Sequence, residues 1–226
     1  MKMKNQLLKT LAVAIAAVTL SGSAMAQVEI GIRAGANFSN AAIKSGSNDW
    51  DTKLQPGWHA GLTFDIPVAD EFYVQPGALY SSKGFKLESN GAVNSETKFN
   101  ASYIEVPVNF LYKPEVGNGN LLLGVGPYLG IGLGGKVKGD FSAGSFSYSD
   151  DAKLQFVNDA DDADNNKFPY AKPIDFGGNL LFGYEFANKL SVQLNGQLGL
   201  INVAPKNGFY DKMKTSQFGV SLGYKF

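Results

Sequence analysis

The last twelve residues, 215–226, alternate between apolar and polar side chains. Phe218, Val220, Leu222, Tyr224 and Phe226 share one face, and Gln217, Gly219, Ser221, Gly223 and Lys225 share the other. A period of two marks a strand, because successive side chains point to opposite faces. A tilted strand of about ten residues is long enough to cross a bilayer.

The same alternation recurs over 28–38, 58–66, 72–81, 103–112, 121–133, 175–186 and 190–201, which predicts eight strands in all. The apolar faces carry no charge. The opposite faces carry Glu29, Arg33, Asn37, His59, Asp65, Gln75, Glu105, Asn109, Asp175, Asn179, Glu185, Gln193, Asn195, Gln197 and Lys225, interspersed with glycine. A soluble barrel would bury the apolar face, and its polar exterior would be rich in Lys and Glu. Here the polar face is rich in Gly, Asn and Gln, as suits a narrow lumen. The apolar face ends in Tyr112, Tyr184, Phe186, Tyr224 and Phe226 at one rim and in Trp58 and Tyr80 at the other. Aromatic girdles at both rims are the mark of a transmembrane barrel. The expected fold is all-β, an eight-stranded antiparallel up-and-down transmembrane β-barrel. Connections 39–57, 82–102, 134–174 and 202–213 are long, and 67–71, 113–120 and 187–189 are short. Short periplasmic turns and long extracellular loops would put both mature termini in the periplasm. Pro76, Pro107 and Pro127 fall inside strands, where bulges or breaks are expected.

The N-terminus fits export. Lys2, Lys4 and Lys9 precede an apolar run over 11–20 and a small-x-small ending at Ala26. This reads as a cleavable signal peptide over 1–26, followed by one barrel domain over 27–226. The run is too short for a membrane anchor, which needs about 20 residues. The remainder holds 17 basic and 20 acidic residues, with Arg33 its only arginine and no cysteine in the chain. That balance gives no electrostatic case for nucleic acid, and no disulfide can form.

Five segments carry a family resemblance: Gly31-Ile-Arg-Ala-Gly-Ala-Asn-Phe-Ser39, Gln75-Pro-Gly-Ala-Leu-Tyr80 with Lys83-Gly-Phe85, Tyr103-Ile-Glu-Val-Pro-Val108, Gly126-Pro-Tyr-Leu-Gly130 and Ser221-Leu-Gly-Tyr-Lys-Phe226. In order and spacing the chain resembles the PorT-like outer-membrane β-barrel proteins of Bacteroidetes. The resemblance implies an eight-stranded barrel of the outer membrane and assigns no activity.

Arg33 is expected to face the lumen and to need a carboxylate, with Glu105, Glu185 and Asp65 as candidates. The reading favoured is a structural ion-pair network filling a lumen only wide enough for side chains. His59 is the only histidine and is expected inward near the outer rim. It is a weak catalytic candidate for lipid chemistry, with Asp49, Asp51, Ser81 or Ser82 as conceivable partners. Asp159, Asp161, Asp162 and Asp164 form a weak calcium candidate that lacks the EF-hand glycine and closing glutamate. No cofactor motif is found. Leu222, Tyr224 and Phe226 look like a recognition signal for the outer-membrane assembly machinery. Phe141, Phe146, Tyr148, Phe156 and Phe168 make connection 134–174 the expected contact surface for a protein partner, beside the membrane lipids. The function expected is a structural or interaction role through extracellular loops. The alternatives are a lipid-modifying enzyme, a narrow channel, or an accessory subunit of a secretion or uptake complex.

Overall fold

The computed structural model describes residues 28–89, 94–143 and 146–226. The expected signal peptide lies outside them. The described chain is all-β, with twelve strands rather than eight. These are β1 (Glu29–Ser45), β2 (Asn48–Trp50), β3 (Thr52–Ala69), β4 (Phe72–Ser89), β5 (Asn94–Tyr112), β6 (Glu115–Val116), β7 (Gly119–Ala143), β8 (Phe146–Phe156), β9 (Lys167–Ala171), β10 (Ile174–Phe186), β11 (Leu190–Gly199) and β12 (Lys212–Lys225).

Neighbours pair in the order β10-β11-β12-β1-β3-β4-β5-β7, and β7 pairs in turn with β10. The path returns to its start, so these strands form a closed antiparallel circuit. β2 and β6 are short partners of β1 and β7. β8 pairs antiparallel with the end of β7, and β9 runs parallel to β8. One end of the circuit is turned by short links, two of which hold Glu71 and Lys189 at φ 64°. We call it the terminal end, because Glu29 and Lys225 lie there, and the opposite end distal.

The long connections are mostly strand. β1, β4, β5 and β7 run well past the expected ends, because alternation resumes beyond a polar stretch. In β4 and β5, Phe85, Phe99 and Ala101 point inward and Lys86 and Lys98 outward.

The register does not slip at the three prolines. It shifts between Leu54 and His59, Pro67 and Ala69, Ser102 and Tyr103, and Gln155 and Phe156. Pro76 stands opposite Val108, and Pro107 opposite Tyr128. Beside them the ladder skips from Pro76 to Leu79 and from Pro107 to Phe110. A proline deletes a ladder donor without adding a residue, so partners are lost and the register is kept. The gap is closed by backbone contact: a Cβ on Gly126 would stand 1.9 Å from the Val108 carbonyl oxygen.

The outer face of the circuit is apolar. Leu222, Leu198, Leu180, Trp58, Phe182, Val125 and Phe218 are each more than half exposed. A belt of this extent is not tolerated in water by a monomer. The inner face holds the buried polar residues, and a separate apolar core lies at the distal end.

Candidate functional site

The lumen is packed in layers, and its contents follow from the inward positions of the alternating strands. At the terminal end, β1, β3, β5, β10 and β12 converge on an ion-pair cluster. Lys113 Nζ lies 3.4 Å from Glu29, 3.3 Å from Asp65 and 3.1 Å from Glu185. Lys225 Nζ lies 3.0 Å from Glu185 and 3.5 Å from Glu29, and also pairs with Asp65. Lys189 reaches Glu29 from outside at 3.3 Å. The Lys113 ammonium sits 4.8 Å from the Tyr73 ring centroid. Leu111, Leu122 and Leu181 fill the space beside it.

Amides continue the packing. Gln75 donates to Asp65 at 2.7 Å, Asn109 to Gln75 at 3.3 Å and Asn179 to Asn109 at 2.6 Å. Farther along, Lys83 and Glu105 form a second ion pair at 2.6 Å, both almost fully buried. The Lys83 ammonium lies 4.6 Å from the Tyr128 ring centroid. Gln197 donates to Glu105, Gln217 to Gln197 and Asn37 to Gln217. Asp175 accepts from Tyr128 and Thr215 at 3.1 and 2.7 Å. Most of these contacts join neighbouring strands, while Asn179–Asn109, Gln197–Glu105 and Thr215–Asp175 join strands that are not paired, so the network ties the circuit together as well as filling it.

Above these layers the distal end is closed by side chains of a different chemistry. Ile43, Phe85, Phe99, Tyr103, Leu154, Tyr170, Val203 and Met213 are buried in one apolar cluster, with Phe156 and Phe168 against it. Phe85 and Phe99 stack at 4.5 Å between centroids, and Tyr170 lies 6.1 and 6.0 Å from them. Burial pushes the Tyr170 and Tyr210 phenols well above their usual range.

The expected four-residue network is divided. Asp65 and Glu185 belong to the terminal cluster with Lys113 and Lys225, while Glu105 pairs with Lys83. Arg33 has no carboxylate within ion-pair distance among the described residues. Its guanidinium donates to the amide oxygens of Asn195 at 3.2 Å and Gln193 at 3.4 Å. The expectation failed because Lys83 and Lys113 lie one or two residues beyond the expected strand ends, so these nearer cations were not counted. Continuing the alternation of 72–81 would have placed Lys83 inward.

His59 is buried within the lumen beneath the apolar cap rather than at a rim. Its Nε2 lies 2.8 Å from Ser221 Oγ, which also accepts from Asn195 at 2.7 Å. None of Asp49, Asp51, Ser81 or Ser82 is its hydrogen-bond partner, and Nδ1 has none among the described residues. Ser221 was missed because it lies in the closing strand, 162 residues away in the chain.

The acidic stretch 158–166 is engaged locally. Asp159 accepts from the Asp161 N–H at the start of a short 3-10 turn, Ala160–Asp162. Asn207 donates to Asp159 and Asp161, and Asp164 pairs with Lys167. Among the described residues no group of three or more His, Cys, Asp or Glu is placed to hold a metal. Connection 134–174 is largely strand. Phe156 and Phe168 pack on the cap, while Phe141, Phe146 and Tyr148 fall outside the described side chains. Phe226 is exposed, edge-on to Tyr224 at 5.4 Å, and its N–H bonds the Ile30 carbonyl at 3.0 Å.

The family described as outer membrane protein beta-barrel domain matches residues 21–204. The chain belongs to this outer-membrane β-barrel family. Membership accounts for an exposed apolar belt around a polar interior, since lipid is the solvent such a face requires. Several solved barrels are similar at low identity. Ail of Yersinia pestis is 15% identical, with 88% of this chain and 99% of Ail covered at a TM-score of 0.39. Neisserial surface protein A is 10% identical, with 87% and 97% covered at 0.38. OprG of Pseudomonas aeruginosa is 17% identical, with 88% and 95% covered at 0.34. Likeness at this level assigns no activity. No curated protein sequence matches the chain.

Proposed function

We propose that this chain is an eight-stranded transmembrane barrel with a sealed lumen. On this reading it works through its extracellular strand extensions as a structural or interaction protein and carries no solute through its bore. Both mature termini lie in the periplasm, and residues 1–26 are removed on export. The observation that carries this reading is the double closure of the bore, by the Glu29–Asp65–Glu185–Lys113–Lys225 cluster at one end and the Phe85–Phe99–Tyr170 core at the other. Conduction would require both to part. The Ser221–His59 contact lies between them with both residues buried, which argues against a lipid-modifying enzyme. The five quoted motifs support a PorT-like branch of the family.

Planar-bilayer recording tests the sealed bore. The purified barrel is expected to give no steady conductance steps. Steady steps from the natural chain would overturn the reading. Mass spectrometry of the mature protein is expected to show Gln27 at its N-terminus.

A further inference from the structure

One buried charge in the lumen is left without a counter-charge. Arg33 is 5% exposed, and no carboxylate lies within ion-pair distance of it among the described residues. The acidic side chains of the bore are engaged elsewhere. Asp65 and Glu185 pair with Lys113 and Lys225, Glu105 pairs with Lys83, and Asp175 accepts from two hydroxyls. The register explains the isolation. Arg33 stands opposite Gly61 on β3 and Gly223 on β12, so neither neighbouring strand offers it a side chain at its own level. Along β1 the adjacent positions on the same face are Gly31 and Gly35.

The polar contacts of Arg33 do not replace the missing charge. Both come from Nη1, to the amide oxygens of Asn195 and Gln193. Those amides are held with their oxygens toward Arg33, because their nitrogens donate to Ser221 at 2.7 Å and to Ser191 at 2.9 Å. The Arg33 Nε–H is buried and has no acceptor among the described residues. A guanidinium does not give up its proton in a protein, so the charge stays.

His59 adds a second donor beside the first. It stands opposite Gly35, the next position on the Arg33 face, and its ring crosses β1 over that glycine to reach Ser221 on β12. A Cβ on Gly35 would stand 2.9 Å from His59 Cε1, so the crossing leaves no room for a side chain there. Ser221 Oγ already accepts from Asn195, and His59 Nε2, 2.8 Å away, is the acceptor within reach of its own hydrogen. That assigns the proton of the neutral imidazole to Nδ1. Nδ1 is buried and has no partner among the described residues. Arg33, His59, Ser221 and Asn195 belong to β1, β3, β12 and β11, which are consecutive around the circuit. Four neighbouring strands therefore carry one hydrogen-bonded group that holds a positive charge and two N–H donors without acceptors.

We propose that Arg33 and His59 hold a small monovalent inorganic anion of halide size in the lumen, with the guanidinium as its counter-charge and the Arg33 Nε–H and His59 Nδ1–H as donors. A water molecule would satisfy the donors and leave the guanidinium uncompensated, and a buried charge without a partner is costly. A larger anion does not suit a bore that is only wide enough for side chains. With both closures in place, the ion is taken up as the barrel closes on folding. The site goes beyond the sealed-bore reading and does not depend on it: bilayer recording reads the seal, and anion dependence reads the site.

The test uses the full mature barrel, refolded from urea into detergent micelles at one ionic strength, with chloride replacing gluconate, which is too bulky for the bore. One ion bound by the folded state alone should lower the unfolding constant by up to about tenfold for each tenfold rise in chloride. Arg33→Met removes the charge at similar length and should abolish the dependence. Lys153→Gln alters an exposed lysine of β8 and should keep it. A natural barrel indifferent to chloride, an Arg33→Met barrel with the same dependence, or loss of the dependence in Lys153→Gln overturns the proposal. Crystals of the natural barrel refolded in bromide give a second measurement that needs no variant. An anomalous bromide peak beside Arg33 Nε and His59 Nδ1 is expected, and a lumen without one overturns the site.

Discussion

Replacing Glu105 by Gln keeps the volume of the side chain and an oxygen that can accept from Gln197 Nε2, now 3.1 Å away. What disappears is the negative charge 2.6 Å from Lys83 Nζ, in a pair whose side chains are 3% and 1% exposed. Removing one partner of a buried pair leaves an uncompensated charge and costs about 3–5 kcal/mol. The Tyr128 ring, 4.6 Å from the ammonium, offsets about 1–2 kcal/mol of the loss. A net destabilisation of about 1–4 kcal/mol is expected. Lys83→Met alone strands the carboxylate instead and should cost a similar amount. The double variant Lys83→Met/Glu105→Gln strands neither charge, so it should be more stable than either single variant. The assay is urea unfolding in detergent micelles, followed by the fluorescence of Trp50 and Trp58, of which Trp58 stands on the outer face and reports loss of the belt. Equal slopes across the four proteins would license a double-mutant cycle. If the two single losses simply add, the pair is not coupled and the layered ion-pair account of the lumen is wrong.

Deleting Phe226 should lower the amount of heat-modifiable barrel in the outer membrane, and unchanged levels would remove it from the assembly signal. Phe99→Ala takes a ring from the centre of the distal cap, where Phe85, Phe168 and Tyr170 surround it. A loss of about 3–5 kcal/mol is expected in the same urea assay, and a loss below about 1 kcal/mol would mean that the cap is not packed as described. Tyr170 and Tyr210 are held above the ordinary phenol value by burial. They therefore stay protonated in the fold while the unfolded chain ionises near pH 10, so their contribution is complete below about pH 10 and falls as pH rises past it. Tyr170→Phe/Tyr210→Phe should flatten that decline, and an unchanged alkaline decline would refute the assignment.

Most of the strands and the direction of their faces were legible in the chain, because a period of two over ten residues admits few other structures and an uncharged face leaves one solvent for it. The inward positions of Asp65, Glu105, Glu185 and Lys225 follow from parity alone. Parity cannot say which inward residues meet across the bore. That depends on the stagger between strands, set by pairings such as Arg33 with Gly223 and Gly61 and by the shift between Leu54 and His59. Hence Arg33 was matched to carboxylates that the fold gives to lysines, and Ser221 went unseen beside His59. The distal cap was hidden for a related reason. Phe85, Phe99, Tyr170 and Met213 come from segments far apart in the chain, and each alternates too briefly in a polar neighbourhood to read as core. The sequence by itself determined the strand period, the polarity of the two faces and the residues available to the lumen. Only the closed circuit, by fixing stagger around the ring, decided which of them touch, because contact across a bore is a property of register and no single strand carries it.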